Sequence, residues 1–191
     1  MAETLRTFLA VEFSPEIQSR IAQFLADLRG IPAKIKWVEP KNFHLTVKFL
    51  GPTPAEKMPE IREALRRAAG TVAPFAMSLE GVGGFPSLDK PRVIWIGVKE
   101  GTQPLAELAK KVDEALWPLG FPLEDRDFSP HATIGRPKDH VRPGVLASVL
   151  APHREANFGQ CQAKMLTWFR STLTPEGPVY EVLEQIPLAA I

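Results

Sequence analysis

The chain has almost no means of cross-linking itself. Its 191 residues contain one cysteine, Cys161, which cannot close an internal disulfide, and no grouping of Cys and His has the spacing of a structural zinc site. Long apolar runs are missing too. Stretches such as Val93-Ile94-Trp95-Ile96 fall far short of the ~20 residues of a membrane-spanning helix, and Met1-Ala2-Glu3 opens no signal peptide. These absences lead to the expectation of a cytoplasmic chain with no membrane partner. Net charge is equally scarce: a formal +1 lacks the large basic excess of a non-specific nucleic-acid binder, whose affinity comes from many phosphate contacts. If the ligand is a nucleic acid, a local site must grip its end. The fold has to rest on packing, for which 45% hydrophobic and 24% charged residues are ordinary provision.

Proline, by contrast, is plentiful. Nineteen of them, about twice the usual ~5% share, punctuate the loops and restrict the unfolded chain. Between them, apolar spacing marks the elements. Leu5, Thr7, Leu9, Val11 and Phe13 alternate as a strand near a sheet centre. Ser14 as N-cap and Pro15 at the first helical position then open a helix whose stripe is Ile17, Ile21, Phe24, Leu25 and Leu28, stopped by Gly30. After Lys36-Trp37-Val38 comes a strand through His44, ended by Gly51-Pro52-Thr53-Pro54, and a helix carrying Met58, Ile61, Leu65 and Ala68. Phe75 to Leu79 reads as a strand, and Gly81 to Pro91 as a loop. The order then recurs: a strand from Val93 to Val98, a helix with Leu105, Leu108, Val112 and Leu116, a strand through His131, and a partly helical stretch over Val145 to Leu150. A strand from Cys161 to about Arg170, a turn at Pro175-Glu176-Gly177-Pro178 and a strand from Val179 to Ile186 complete the chain. The pattern predicts one domain built of two pseudo-repeats, about 1–90 and 91–191, since no linker divides them and each has few strands for independent stability.

Two motifs occupy the same step of the two units. Phe43-His44-Leu45-Thr46-Val47 and Pro130-His131-Ala132-Thr133-Ile134 both read His-x-Thr, with apolar residues between. On a strand, His and Thr then share one face about 6.6 Å apart while the apolar residues face the core. A repeated order predicts that the two strands meet across a cleft. Each histidine alone would read as structural and each threonine as an ordinary strand residue; the pairing turns the reading to function.

Two imidazoles with ordinary pKa near 6.5 can act as base and acid in a single turnover, giving a bell-shaped pH profile. Thr46 and Thr133 supply hydroxyl donors to non-bridging phosphate oxygens, each worth ~3 kcal/mol in a water-poor site. Lys48 shares the face of His44 and Thr46 by alternation, and Arg136 follows the second motif; either could add a cation against phosphate. The scheme requires no metal. His140, His153 and Lys48 otherwise read as solvated side chains, Cys161 as a packed strand residue, and Trp37, Phe85 and Trp95 as core or loop anchors that could also stack on a base. Ser129 lacks the glycine pattern of a nucleophile elbow.

These residues carry a resemblance. His44-Leu45-Thr46-Val47-Lys48-Phe49-Leu50-Gly51 and Ser129-Pro130-His131-Ala132-Thr133-Ile134-Gly135-Arg136 are similar to the two signature motifs of the two-histidine phosphoesterase superfamily. Within it the chain resembles the RNA 2′,3′-cyclic phosphodiesterases, also named 2′-5′ RNA ligases. The likeness extends to Arg6-Thr7-Phe8-Leu9-Ala10, Trp37-Val38, Gly84-Phe85-Pro86, Pro91 to Trp95, Arg170-Ser171 and Tyr180. The resemblance implies an α+β, bilobal fold: two pseudo-symmetric lobes whose antiparallel sheets face a central cleft, with helices outside. It implies catalytic His44 and His131, with Thr46, Thr133 and Arg136 on the phosphate and no cofactor. The implied reaction opens a terminal 2′,3′-cyclic phosphate to a 2′-phosphate, with reversible ATP-independent 2′-5′ joining beside it, on RNA 3′ ends such as tRNA halves and by a monomer. Ala132 and Gly135 depart from the commoner Leu and Ala there, at positions that supply no functional side chain.

Other readings stay open at this point. The same residues could act on a small cyclic nucleotide or an ADP-ribose cyclic phosphate, or hold an RNA end without turning it over, or ligate a metal. Analogy gives His131 as base on water and His44 as acid.

Overall fold

The alternation at the start of the chain is realised as β1, Thr4–Glu12, and both of its faces are covered. Leu9 and Val11 enter the main core, whereas Phe8 and Ala10 form a second buried group with Phe169, against which Tyr180 packs. A strand apolar on both faces belongs inside a sheet. The computed structural model, which describes residues 3–31, 33–125, 127–138, 144–175 and 177–189, places β1 between two other strands.

Ser14 caps helix α1, Pro15–Asp27, by accepting from the Ile17 backbone N–H, and Ile17, Ile21 and Leu25 are its buried stripe. The order continues β2 (Ile35–Trp37), β3 (His44–Pro54), α2 (Met58–Ala69), β4 (Phe75–Phe85), β5 (Val93–Val98) and α3 (Thr102–Leu116). It closes with β6 (His131–Pro137), α4 (Val145–Leu150), β7 (Asn157–Ala163), β8 (Met165–Leu173) and β9 (Pro178–Pro187). The strands form two antiparallel sheets, ordered β3-β1-β8-β9 and β2-β6-β5-β4-β7. Helices α2 and α3 pack on one another, and Arg62 and Arg66 of α2 tie down Glu184 of β9. The expected α+β architecture is therefore present. No helix among the described residues is long and apolar enough to cross a membrane.

The sheets do not coincide with the sequence halves. Strand β4, which ends the first unit, lies beside β5 of the second, while β8 lies beside β1. Each unit gives two strands to the other's sheet, β2 and β4 in one direction and β8 and β9 in the other. Neither half could satisfy its edge hydrogen bonds alone.

Three boundaries differ from the sequence reading, each for a local reason. The segment 161–170 is not one strand: Lys164 divides β7 from β8, which lie in different sheets. The glycine-rich stretch after Leu79 is strand rather than loop as far as Phe85. Gly81, at φ +81°, sits at a bulge, and a Cβ on Gly83 would stand 2.1 Å from the Trp95 ring, so glycine there makes room for an indole. Similarly, Gly51 at φ +68° lets β3 continue to Pro54, where the buried Thr53 hydroxyl meets that of Thr7 at 2.8 Å. His140 lies outside the described residues, as does Glu176 of the turn at 175–178.

Candidate active site

Both His-x-Thr motifs begin a strand, and both strands are bulged just after the threonine. In the β1–β3 ladder Ala10 faces Thr46 while Leu9 faces Lys48, so Val47 is the extra residue; in the β5–β6 ladder Trp95 faces Thr133 while Ile94 faces Gly135, so Ile134 is extra. A bulge reverses the alternation beyond it. Two successive residues turn inward in each case, Val47-Lys48 and Ile134-Gly135, and the next, Phe49 or Arg136, turns outward. The second motif gains a cation by this device and the first an aromatic ring.

Strands β3 and β6 pack against one another across the two sheets. His44, Thr46, Phe49, Thr133 and Arg136 line one cleft of about 440 Å³. His131, two residues before Thr133 on the same face of β6, lines a second cavity of about 760 Å³ together with Phe85 and Trp95. Strand β6 thus gives Thr133 to the cleft of His44 and His131 to the second cavity, so that one histidine faces each.

The two imidazoles are held in the same way. His44 Nδ1 lies 2.8 Å from the Asn42 carbonyl and His131 Nδ1 lies 2.8 Å from the Ser129 carbonyl, each two residues back. A carbonyl only accepts, so Nδ1–H donates and the neutral ring presents the Nε2 lone pair. His44 Nε2 is 3.2 Å from the Thr46 hydroxyl. Around His44 the rings of Phe8, Tyr180 and Phe169 have centroids 4.9, 5.4 and 6.2 Å away. Burial among them pushes the His44 pKa down; the Asn42 carbonyl and the Glu12 carboxylate oppose this more weakly. Glu12, opposite His44 in the ladder, accepts from the Thr167 hydroxyl at 2.7 Å and from Gln185 at 3.1 Å. His131 has Phe85 edge-on at 5.0 Å and Trp95 at 6.4 Å.

Lys48 contradicts the sequence reading twice. The bulge at Val47 takes it off the His44 face, and it is 3% exposed rather than solvated. Its ammonium lies 2.6 Å from the Asp113 carboxylate of α3 and donates to the Pro122 carbonyl at 2.8 Å. It cannot serve a phosphate in the cleft. Arg136 reaches the cleft for the same reason that Lys48 does not.

The remaining candidates sort simply. Cys161 is half-buried on β7, where burial pushes its thiol pKa up, and His153 packs edge-on against Phe24 at 5.0 Å. Trp37 packs onto the bare backbone of Gly135, whose Cβ would stand 2.6 Å from the ring, and Trp95 lies over Gly83. Phe49, 62% exposed on the cleft wall, was not singled out by strand alternation, which directs it inward. Ser129 contributes its carbonyl, a role no side-chain pattern signals. Among the described residues no group of three or more His, Cys, Asp or Glu side chains could share a metal ion.

The family model described as LigT like phosphoesterase matches residues 11–95 and again 96–180. An Archaeoglobus fulgidus protein named RNA 2′,3′-cyclic phosphodiesterase is 40% identical over 179 residues, spanning 94% of this chain and 98% of its own. A Methanocaldococcus jannaschii protein of the same name is 38% identical over 95% of this chain and 99% of its own. Among solved structures, a Thermus thermophilus protein superposes with a TM-score of 0.82 at 29% identity, covering 96% of this chain and 98% of that one. Escherichia coli LigT, crystallised with 3′-AMP, gives 0.74 at 25% identity over 98% of this chain and all of that one. Carrying a bulged His-x-Thr strand in each of its two sheets, the chain belongs to the LigT-like phosphoesterase family.

Proposed function

We propose that this chain opens the 2′,3′-cyclic phosphate at an RNA 3′ end to a 2′-phosphate, by acid–base catalysis divided between His44 and His131. The observation that carries the reading is the matched pair of Nδ1 tethers, 2.8 Å in each motif, which turns both Nε2 atoms away from the backbone on two strands that pack together. The relatives named RNA 2′,3′-cyclic phosphodiesterase supply the substrate class.

In the proposed step, water attacks phosphorus and its proton passes to His131 Nε2. The bond from phosphorus to the 3′ oxygen breaks, and His44 Nε2–H gives that oxygen its proton, leaving a 3′-hydroxyl and a 2′-phosphate. His131 lines the second cavity, which suits a base that takes a proton from water, whereas aromatic rings crowd His44. Burial favours the neutral form of His44 before substrate binds; the negative phosphate pulls its pKa back up, so the acid form accumulates with substrate in place. Thr46, Thr133 and Arg136 hold the non-bridging oxygens. With an RNA 5′-hydroxyl in place of water as the nucleophile, the same step forms a 2′-5′ phosphodiester and releases the 3′-hydroxyl, so the same groups support 2′-5′ joining. We place the reaction in the cytoplasm, on ends such as those of tRNA halves, and assign it to the monomer because one chain supplies both motifs.

Product analysis tests this reading. A 2′,3′-cyclic-phosphate oligonucleotide incubated with the protein in chelator should gain the mass of one water, with all phosphate on the 2′ oxygen. A 3′-phosphate product would reverse the choice of leaving oxygen, and loss of activity in chelator would overturn the metal-free scheme.

A further inference from the structure

The cleft holds more positive charge than ring opening uses. Arg6 of β1, Lys36 of β2 and Arg136 of β6 all line it, and among the described residues none has a carboxylate at ion-pair distance. Glu39, the one carboxylate on this wall among the described residues, is taken by Lys41 at 2.9 Å. A chain of net charge +1 thus gathers three uncompensated cations in one place. The register makes that costly, because Lys36 stands directly opposite Arg136 in the β2–β6 ladder, where like charges repel. Arg6 and Arg136 also both pull the Tyr180 hydroxyl toward ionisation, against the stronger effect of burial, so both act on one ring.

A terminal phosphate cannot account for all three. Along β1, Ala10 faces Thr46 and Arg6 lies four residues further on, opposite Pro52. That is about 13 Å of strand from the phosphate donors, the reach of a second backbone phosphate rather than the first. Beside Arg6, exposed apolar surface remains on the same wall: Phe49 at 62%, Leu173 at 69% and Val179 at 52%. Cations along a groove interleaved with open apolar and aromatic surface are what a single strand needs, charge for its backbone and flat faces for its bases.

We propose that Arg6 and Lys36 grip the phosphate preceding the cyclic end, with Arg136 between it and the terminal phosphate and Phe49 under a base, so that the cleft selects oligonucleotides over mononucleotides. This rests on the phosphodiesterase reading above and names the substrate length that site requires. The test compares a trinucleotide ending in 2′,3′-cyclic phosphate with the matching mononucleoside 2′,3′-cyclic phosphate. The trinucleotide should show about tenfold higher kcat/KM. In Arg6→Gln and Lys36→Gln, its KM should rise about fivefold or more while the mononucleotide's kcat/KM stays within about twofold, which also shows that the variants are folded. The slope of trinucleotide binding against salt should fall by about 0.7 per lost phosphate contact. Equal kcat/KM for the two substrates, or variants that lower both alike, would overturn the inference and leave the catalytic reading standing. Turnover of neither substrate by the unaltered protein would overturn the catalytic reading and the inference with it.

Discussion

Replacing Lys48 separates two accounts of the first motif, because strand alternation puts its ammonium beside the phosphate whereas the bulge buries it. Lys48→Met keeps most of the side chain's apolar stem and removes its ammonium, charge and hydrogen-bond donors together. The variant loses a 2.6 Å contact to Asp113 and a hydrogen bond to the Pro122 carbonyl. Breaking a fully buried pair costs about 3–5 kcal/mol, since one charge is left unsolvated. Asp113, however, is 17% exposed and still accepts from the Glu124 N–H at 3.1 Å, so part of that cost is recovered from water and the backbone. A loss of about 2–3 kcal/mol follows, which for a chain of this length lowers Tm by roughly 4–12 °C. Adding Asp113→Leu should restore most of it, because the desolvated carboxylate is removed as well. Calorimetry supplies the stability and steady-state hydrolysis of a cyclic-phosphate oligonucleotide supplies the rate, with kcat expected within about twofold of the unaltered protein. A hundredfold loss of kcat at unchanged Tm would mean that Lys48 faces the substrate and that the bulge argument is wrong.

The other expectations concern the motifs themselves. Thr46→Val and Thr133→Val should each lower kcat about a hundredfold with little change in KM, as donors used mainly in the transition state do; a rise in KM alone would recast them as ground-state contacts. The buried His44, with its pKa below 6.5, should also tie stability to pH. The unfolded chain takes up the proton first as pH falls, so the stabilisation is complete above about pH 6.5 and is lost as pH drops through the lowered native value. The difference in unfolding free energy between pH 7.5 and pH 5 should therefore be larger for the unaltered protein than for His44→Phe, and identical differences would contradict the burial of a neutral ring.

The parts of the fold that obey simple periodicity were legible in the sequence. Strand β1, the stripes of α1, α2 and α3, and the recurrence of His-x-Thr at the same step of each unit follow from side chains that repeat every two or every three to four residues. What defeated that reading is residues that break parity. Arg136, five places beyond His131, would face the core on an unbroken strand, and Lys48 would face the cleft; one bulge in each strand exchanges their fates. Nothing in Val47 or Ile134 announces a bulge, since both are good strand residues. Glycine misled in the opposite direction: at Gly83 it signals space for Trp95 inside a sheet rather than a loop. The exchange of β2 and β4 for β8 and β9 between sheets was beyond reach as well, because apolar patterning records that a strand is buried and not which neighbour it pairs with.

The central claim is that His44 and His131 form one catalytic unit, and single-turnover rates of the single and double variants test it most directly. His44→Asn and His131→Asn should each slow ring opening of a cyclic-phosphate oligonucleotide by about 10²–10⁴, and the double variant should be scarcely slower than the worse single one, because groups that act together are lost together. Full activity in either single variant would contradict the account.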